Sequence, residues 1–535
     1  MRGFRQQKSV LGLVTFGLTA FGVGSGAIAN PLNPSMGDLG IQATILQAEP
    51  YDLLGRKIAI GQVEIGRPGK FGLDKRANWQ PQLGLSQLFV IDEKASPDDH
   101  VDDHAGMVAG IMVSRDKRQL GVAPAARLFS SGIGSTEEAS QPEECLATQH
   151  IALQNSDDVR AINFSFGESL DRDERANPLL DGNSLFTQCL DWSARVYDVL
   201  HVVAGNQGDG GIPIPTDHYN GITAAYTTRF KGDAFNKIDF ANLSGIPEGI
   251  GRSLVRDEIN LGDRRAVSLT APGSQLELIS TFNVVERVSG TSFAAPHITG
   301  TVALLQEYGD RQLRDQAEHW SLDSRRHEVT KAILLNSADK VADTGDGNLL
   351  GMNQTIYKEN QSTWLDSDAA QDSAIPLDIE MGTGQLNAFR AYTQFASGQW
   401  SSGVSVPPIG WNYDQIVEKS AQDYAIAQPL RANAYASITL AWDRLVELGD
   451  RNGNDRYDIG ETFTDLGLNN LDLYLLPANA DNLSEAVCSS NSAVDSVEHI
   501  FCPIPRTGSY KVRVVYKNRQ NTETQNYAIA WWTAP

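Results

Sequence analysis

The sequence predicts a three-layer α/β domain built on a parallel sheet, followed by a smaller antiparallel β-sandwich. Three observations carry this. Between about Lys57 and Ala396, short apolar runs alternate with stretches of helical period. The runs are apolar on both faces, as strands covered from both sides must be. Beyond a Ser-, Gly- and Pro-bearing stretch at 399–411, the pattern changes to apolar and polar residues in alternation.

Reading from the N-terminus, Met1 to Lys8 carries Arg2, Arg5 and Lys8 and no acid. Val10 to Val23 is apolar, and Ala27-Ile28-Ala29 offers small residues at both cleavage-recognition positions. Residues 1–29 are therefore expected to be a signal peptide, cut before Asn30. The alternative is a membrane anchor, but the apolar run is shorter than the ~20 residues that span a bilayer. The mature chain is expected to be secreted, extracellular or periplasmic, to be free of the membrane after cleavage, and to be monomeric.

Residues 30–398 are read as the α/β domain. Lys57–Val63, Ala126–Ser130, Val159–Phe164, Leu200–Ala204 and Ile222–Thr227 read as buried strands, each leading into a loop rich in Gly, Pro, Ser or Asp. His104–Val113 and Ser292–Tyr308 read as helices. Sites in such folds gather at the carboxyl ends of the strands. Residues 399–411, with Ser401-Ser402-Gly403 and Pro407-Pro408, read as a linker. In 412–535, Ala434–Trp442, Leu471–Leu476, Val497–Cys502, Gly508–Tyr516 and Tyr527–Trp532 look like sandwich strands.

Charge narrows the function classes. The 535 residues hold 66 Asp and Glu against 44 Lys and Arg, a net charge of -22. A phosphate-binding surface needs basic charge, so nucleic acid is not an expected partner. The four cysteines form two sequence-local pairs, and export permits disulfides. Cys145–Cys189 and Cys488–Cys502 are the expected bridges among three possible pairings, with buried free thiols as the alternative.

Chemistry concentrates in Gly290-Thr291-Ser292-Phe293-Ala294-Ala295-Pro296-His297. A serine at a helix start meets backbone N–H groups and the positive end of the helix dipole. The bland reading is an N-capping serine. A serine nucleophile also needs a base, and His104 opens the helix His104-Ala105-Gly106-Met107-Val108. Asn206 follows a buried strand, where its amide could donate to an oxyanion, although Asn-Gln-Gly alone reads as a turn.

Together these residues resemble the subtilisin-like serine protease family (the subtilases), over roughly Leu39 to Ala396. Ser289–Gly300 is similar to the family's nucleophile motif almost residue for residue. Gly121-Val122-Ala123-Pro124, Ile162-Asn163-Phe164-Ser165-Phe166-Gly167, Leu269-Thr270-Ala271-Pro272-Gly273 and Met381-Gly382-Thr383-Gly384 resemble further family segments. The resemblance implies a secreted serine endopeptidase acting on proteins or peptides, with no cofactor for the chemistry. It implies Ser292 as nucleophile, His104 as base, Asn206 in the oxyanion hole, and Ser165, Phe166 and Gly167 along the substrate backbone.

Two departures matter. Ala105 and Gly106 follow His104 where the family has Gly and Thr. Where the family has an acidic Asp, the strand Lys57–Val63 runs into Glu64-Ile65-Gly66. A glutamate can orient the imidazole, but its extra methylene moves the oxygen by roughly 1.5 Å, one C–C bond. Asp92, after Phe89-Val90-Ile91, is the alternative acid, and a site with no working acid is the third possibility. That third case would make the chain a catalytically impaired, protease-like binding protein, and an enzyme that joins peptides is a further rival. Asp98 to Asp103 reads as a solvated acidic loop, with metal binding as its competitor, and Asp102 or Asp103 could bias His104 upwards. Many family members carry a folded pro-region; between Ala29 and Lys57 there is no room for one, so folding without it is expected.

Finally, Asp450, Asn452, Asn454, Asp458 and Glu461 stand at positions 1, 3, 5, 9 and 12 of a loop that resembles a calcium-binding one. Position 6 is Asp455 where an EF-hand has Gly. Structural Ca2+ and an ordinary polar turn are the two readings.

Overall fold

The computed structural model describes residues 34–70, 73–75, 82–134, 140–206, 214–240 and 264–535. The expected signal peptide lies outside them. Among the described residues no helix is long and apolar enough to cross a membrane.

The α/β domain is built on β1 (Ala59–Glu64), β2 (Leu85–Val90), β3 (Glu93–Lys94), β4 (Arg127–Gly132), β5 (Val159–Phe164), β6 (Leu200–Ala204), β7 (Ile222–Arg229), β8 (Phe235–Phe240) and β9 (Val267–Pro272). These join in the order β8-β7-β6-β5-β1-β4-β2-β3, with β9 also pairing β7. The central pairs are parallel, while β8 and β3 run antiparallel at the two ends. Every residue of β1, β5 and β6 is buried, which is why those runs carry no polar alternation.

Helices cover both faces. On one lie α1 (Asp103–Val113) and the long α4 (Thr291–Asp315), sharing a core with Val108, Ile111, Val122, Ile298 and Val302. On the other lie α2 (Gln141–Ala152) and α3 (Leu185–Tyr197), joined by the expected Cys145–Cys189 disulfide. A hairpin of β10 (Leu276–Ile279) and β11 (Val285–Val288) precedes α4. After it come α5 (His327–Asn336) and α6 (Ala388–Ala396).

The C-terminal region comprises β12 (Ser405–Val406), β13 (Ile409–Val417), β14 (Ala421–Ile426), β15 (Tyr435–Ala441), β16 (Val446–Leu448), β17 (Phe463–Asp465), β18 (Asn470–Pro477), β19 (Cys488–Ser490), β20 (Val497–Pro503), β21 (Tyr510–Asn518) and β22 (Thr524–Thr533). They form sheets β12-β14-β21-β18-β19 and β13-β22-β15-β20, plus the β16–β17 hairpin. Apart from β12, which pairs β14 in parallel, neighbours run antiparallel. In β21, Tyr510, Val512, Val514 and Tyr516 are buried between the sheets. The Cys488–Cys502 bridge joins β19 to β20.

The stretch 399–411, expected as a linker, holds β12 and the start of β13. The reason is Trp411, fully buried against Trp320 and Phe395 of the α/β domain. The sheet β13-β22-β15-β20 packs directly on α5 and α6. Asn336 accepts from Ser437 and Thr439, and Gln394 donates to the Gly410 and Trp531 carbonyls. A buried ion pair, Arg444 to Asp191 at 2.5 Å, closes the same interface.

Candidate active site

Parallel pairing puts the carboxyl ends of β1, β5 and β6 along one edge. Val63 pairs with Phe164 and Phe164 with Val203, so Glu64, Ser165 and Ala204 each stand one step past a common line. Both the expected acid and the expected substrate segment therefore emerge at the same rim, and Asn206 two residues beyond Ala204.

Glu64 ends β1 with its side chain 1% exposed. Its Oε1 lies 3.3 Å from Nδ1 of His104, and its Oε2 accepts from the Ile65 N–H. The 3.3 Å contact is longer than a tight charge-assisted hydrogen bond of about 2.8 Å, as is common before substrate closes a site. His104 stands in the first turn of α1, 36% exposed. Asp102 caps that helix by accepting from the Ala105 N–H, and Gln62 of β1 holds the Ala105 carbonyl. Gly66 makes the approach possible. A Cβ there would stand 2.3 Å from Cβ of Asp102, and the Arg67 and His100 backbones bond immediately beside it. Burial pulls the His104 imidazole down, but the charge and hydrogen bond of Glu64, aided by the charge of Asp102, outweigh it and hold its pKa above the ordinary value.

Ser292 lies in the first turn of α4, 4% exposed. Three strand ends pin that turn. The Gly290 N–H donates to the Gly273 carbonyl past β9, and Thr291 Oγ1 donates to the Gly205 carbonyl past β6. The third tie follows from Pro296. Proline has no N–H, so it cannot serve the carbonyl four residues back, that of Ser292. Ser165 Oγ, past β5, donates to it instead at 2.8 Å, itself held by Asn163. In return Ser292 Oγ donates to the Ser165 carbonyl at 3.2 Å. Phe293 packs its ring 5.4 Å from that of His104, so His104 borders the turn that carries Ser292.

The remaining expected residues divide. Asn206 is 3% exposed, next to the Gly205 carbonyl that Thr291 holds. Phe166 turns its ring into the core, stacked on Phe186, while Gly167 is half-buried at the rim. Asp92 is exposed in the turn after β2, where its charge acts on His150 of α2. Asp103 accepts from the Thr281 N–H and anchors the β10–β11 hairpin. Gln62, Asn163 and the side-chain duty of Ser165 went unseen in the sequence; Pro296 four positions after Ser292 is the signal that announces the last.

The candidate calcium loop links β16 to β17 instead of two helices. Asp455, at the position an EF-hand gives to Gly, adopts φ 59, so the sharp turn is made without glycine. Asp450 accepts from the Asn452, Gly453 and Asp455 N–H groups, and Glu461 from Arg451 and Asp458. Asn452 and Asn454 both donate to Asp458 Oδ2, and each amide can turn its oxygen inward by rotation of its last bond. The set of carboxylate and amide oxygens fits a hard cation. Tyr457, fully buried and bonded through its backbone to Gln149, docks the loop on α2.

Residues 89–352 match the model of the subtilase family. The chain carries a subtilase domain. Subtilases are serine proteases. His104, Asn206 and Ser292 lie inside the matched range, whereas Glu64 precedes it. Thermitase of Thermoactinomyces vulgaris is 25% identical over 164 residues, 31% of this chain and 45% of that protein, so the match spans less than half of the relative's length. Two solved structures are similar to parts of this chain. The MycP3 protease from the type VII (ESX-3) secretion system has a TM-score of 0.41 at 15% identity, over 68% of this chain and 88% of its own. A cold adapted subtilisin-like serine proteinase has a TM-score of 0.34 at 17% identity, over 52% and 84%.

Proposed function

We propose that this chain is a secreted serine endopeptidase that hydrolyses peptide bonds of proteins or peptides through an acyl-enzyme on Ser292. The observation that carries the reading is the contact of Glu64 Oε1 with His104 Nδ1 at 3.3 Å, beside the helix turn that presents Ser292. His104 takes the Ser292 proton as Oγ attacks the scissile carbonyl, and later returns it to the leaving amine. Glu64 fixes the imidazole tautomer and stabilises the imidazolium. Asn206 and the Ser292 backbone N–H hold the oxyanion. The backbone of Ser165, Phe166 and Gly167 takes the substrate as an added strand. The Ser292 Oγ bond to the Ser165 carbonyl is the resting arrangement, given up when substrate arrives. Export is supported by the two disulfides. The chemistry uses no cofactor, and Asp450, Asn452, Asn454, Asp458 and Glu461 would hold a structural Ca2+ whose charge gathers the loop.

A fluorophosphonate probe tests the reading on wild type, Ser292→Ala and Glu64→Ala. Labelling of wild type, its abolition in Ser292→Ala and its slowing in Glu64→Ala are expected. Labelling that survives Ser292→Ala overturns the assignment, and an unlabelled wild type points to the protease-like binding protein.

A further inference from the structure

A second cluster of chemistry-bearing side chains lies away from the cleft, where α5 meets the C-terminal sheet. Asp198 Oδ1 caps α5 by accepting from the His327 N–H at 3.0 Å. His327 Nδ1 lies 3.0 Å from Asp198 Oδ1 and 3.2 Å from Glu328 Oε2. Among the described residues this is the only group of three or more His, Cys, Asp or Glu whose ligand atoms all fall within 4.8 Å of one another. Tetrahedral ligands at bonds of about 2.0 Å stand roughly 3.3 Å apart, close to both separations.

Each member is also held from behind. Arg326 Nη1 lies 3.3 Å from Asp198 Oδ2, and the Tyr413 hydroxyl donates to Glu328 Oε1 at 3.3 Å. His327 Nε2 is 3.1 Å from both oxygens of Asp443, the carboxylate support that orients metal-binding imidazoles. Independently, Glu328 is 6% exposed, and its Oε2, the oxygen aimed at Nδ1, is buried without a hydrogen bond. A cavity of about 380 Å3, bordered by Arg195, Tyr413, Gln415 and Asn526, opens beside the cluster.

We propose that Asp198, His327 and Glu328 bind a divalent transition-metal cation of the zinc class. One imidazole nitrogen and two carboxylates suit such an ion, and two negative charges neutralise it. A calcium site would be built from oxygens alone. Asp443, which follows β15, is the positioning residue. The ion thus ties the α/β domain to the C-terminal domain, and its role is independent of Ser292 chemistry.

The test uses the full chain carrying Ser292→Ala, stripped with chelator and kept in millimolar Ca2+ so that oxygen-only sites stay filled. Zn2+ is titrated by calorimetry. One equivalent is expected, weakened by about 100-fold or more in Glu328→Gln and by about 10–100-fold in Asp443→Asn. The Ser292→Ala chain failing to bind Zn2+ below millimolar concentration overturns the proposal. So does Zn2+ affinity unchanged by Glu328→Gln, because His327 is then a buried cation held by its carboxylates alone. Circular dichroism of both variants without metal checks that lost binding is not lost fold.

Discussion

Shortening Glu64 to aspartate would give this chain the acid its family uses, yet the geometry predicts damage. The Glu64 backbone is fixed by its register with Gly132, and the next turn is locked by the close approach of Gly66 to Asp102. Neither can advance to follow a shorter side chain. The carboxylate would retreat by roughly 1.5 Å, one C–C bond. A misplacement of about 1 Å costs on the order of 100-fold in rate, or about 2.7 kcal/mol of barrier. Loss of the acid altogether costs about 10⁴-fold. Glu64→Asp is therefore expected to lower kcat on a chromogenic peptide about 100-fold with KM little changed, since the acid does not touch substrate. A pH arm separates orientation from charge. In the proposed role of base His104 acts only when neutral, so its raised pKa puts the acid limb of kcat/KM above the ordinary histidine value of about 6.5. Glu64→Gln removes the raising charge, and the limb should move to lower pH. An aspartate variant as fast as wild type, or a limb that stays in place, would refute the assignment.

Four further outcomes follow. Asn206→Ala should lower kcat by about 10²–10³ if its amide holds the oxyanion, with unchanged fluorescence and melting temperature as control. Ser165→Ala leaves the Ser292 carbonyl without the donor that Pro296 cannot supply, so unfolding in urea should show a loss of about 1–3 kcal/mol. His297 is fully buried between the Phe293 carbonyl and Ser35, and burial lowers its pKa to about 4. Above about pH 6.5 it is neutral folded or unfolded and contributes nothing, but as pH falls towards 4 only the unfolded chain takes the proton. Stability should thus fall by roughly 3 kcal/mol over that range, less in His297→Gln, as urea titrations at several pH values would reveal. Ca2+ at about 100 times its dissociation constant should stabilise the chain by about 2.7 kcal/mol, an effect lost in Glu461→Gln; a melting temperature indifferent to Ca2+ removes the loop from consideration.

How legible this was depended on the range of the interaction involved. Val159–Phe164 and Leu200–Ala204 are strands at the same bounds their apolar runs predict, because full burial of a short segment leaves a local signature. The turn at Ser292 was legible for a similar reason: the Gly290 N–H and the Thr291 hydroxyl that tie it to Gly273 and Gly205 sit beside Ser292 in sequence. Glu64 was harder. Composition could name a carboxylate at the end of β1, but whether its extra methylene reaches His104 depends on the packing of Gly66 under Asp102. Asp92 also follows an apolar run but stands only 12 positions before His104; in the fold it follows β2, two strands from β1, and its charge acts on His150.

The C-terminal boundary was least legible, and the reason is physical. Sequence texture marks where strand pattern replaces helix pattern, but a boundary between folding units is a gap in packing. Here packing is continuous: Trp411, Ala441, Val497, Ala528 and Ala530 share one core with α4, α5 and α6. The polar contacts across it include a buried ion pair, Arg444 with Asp191, and the buried bond of His327 to Asp443. Removing Arg444 leaves the Asp191 charge buried without its counter-ion, at a cost of about 3–5 kcal/mol. The C-terminal sheet is thus part of what holds α5 and, behind it, the long helix that presents Ser292. Residues 30–398 expressed alone would expose that apolar face and leave Asp191 without Arg444, so they should aggregate or melt earlier than the full chain.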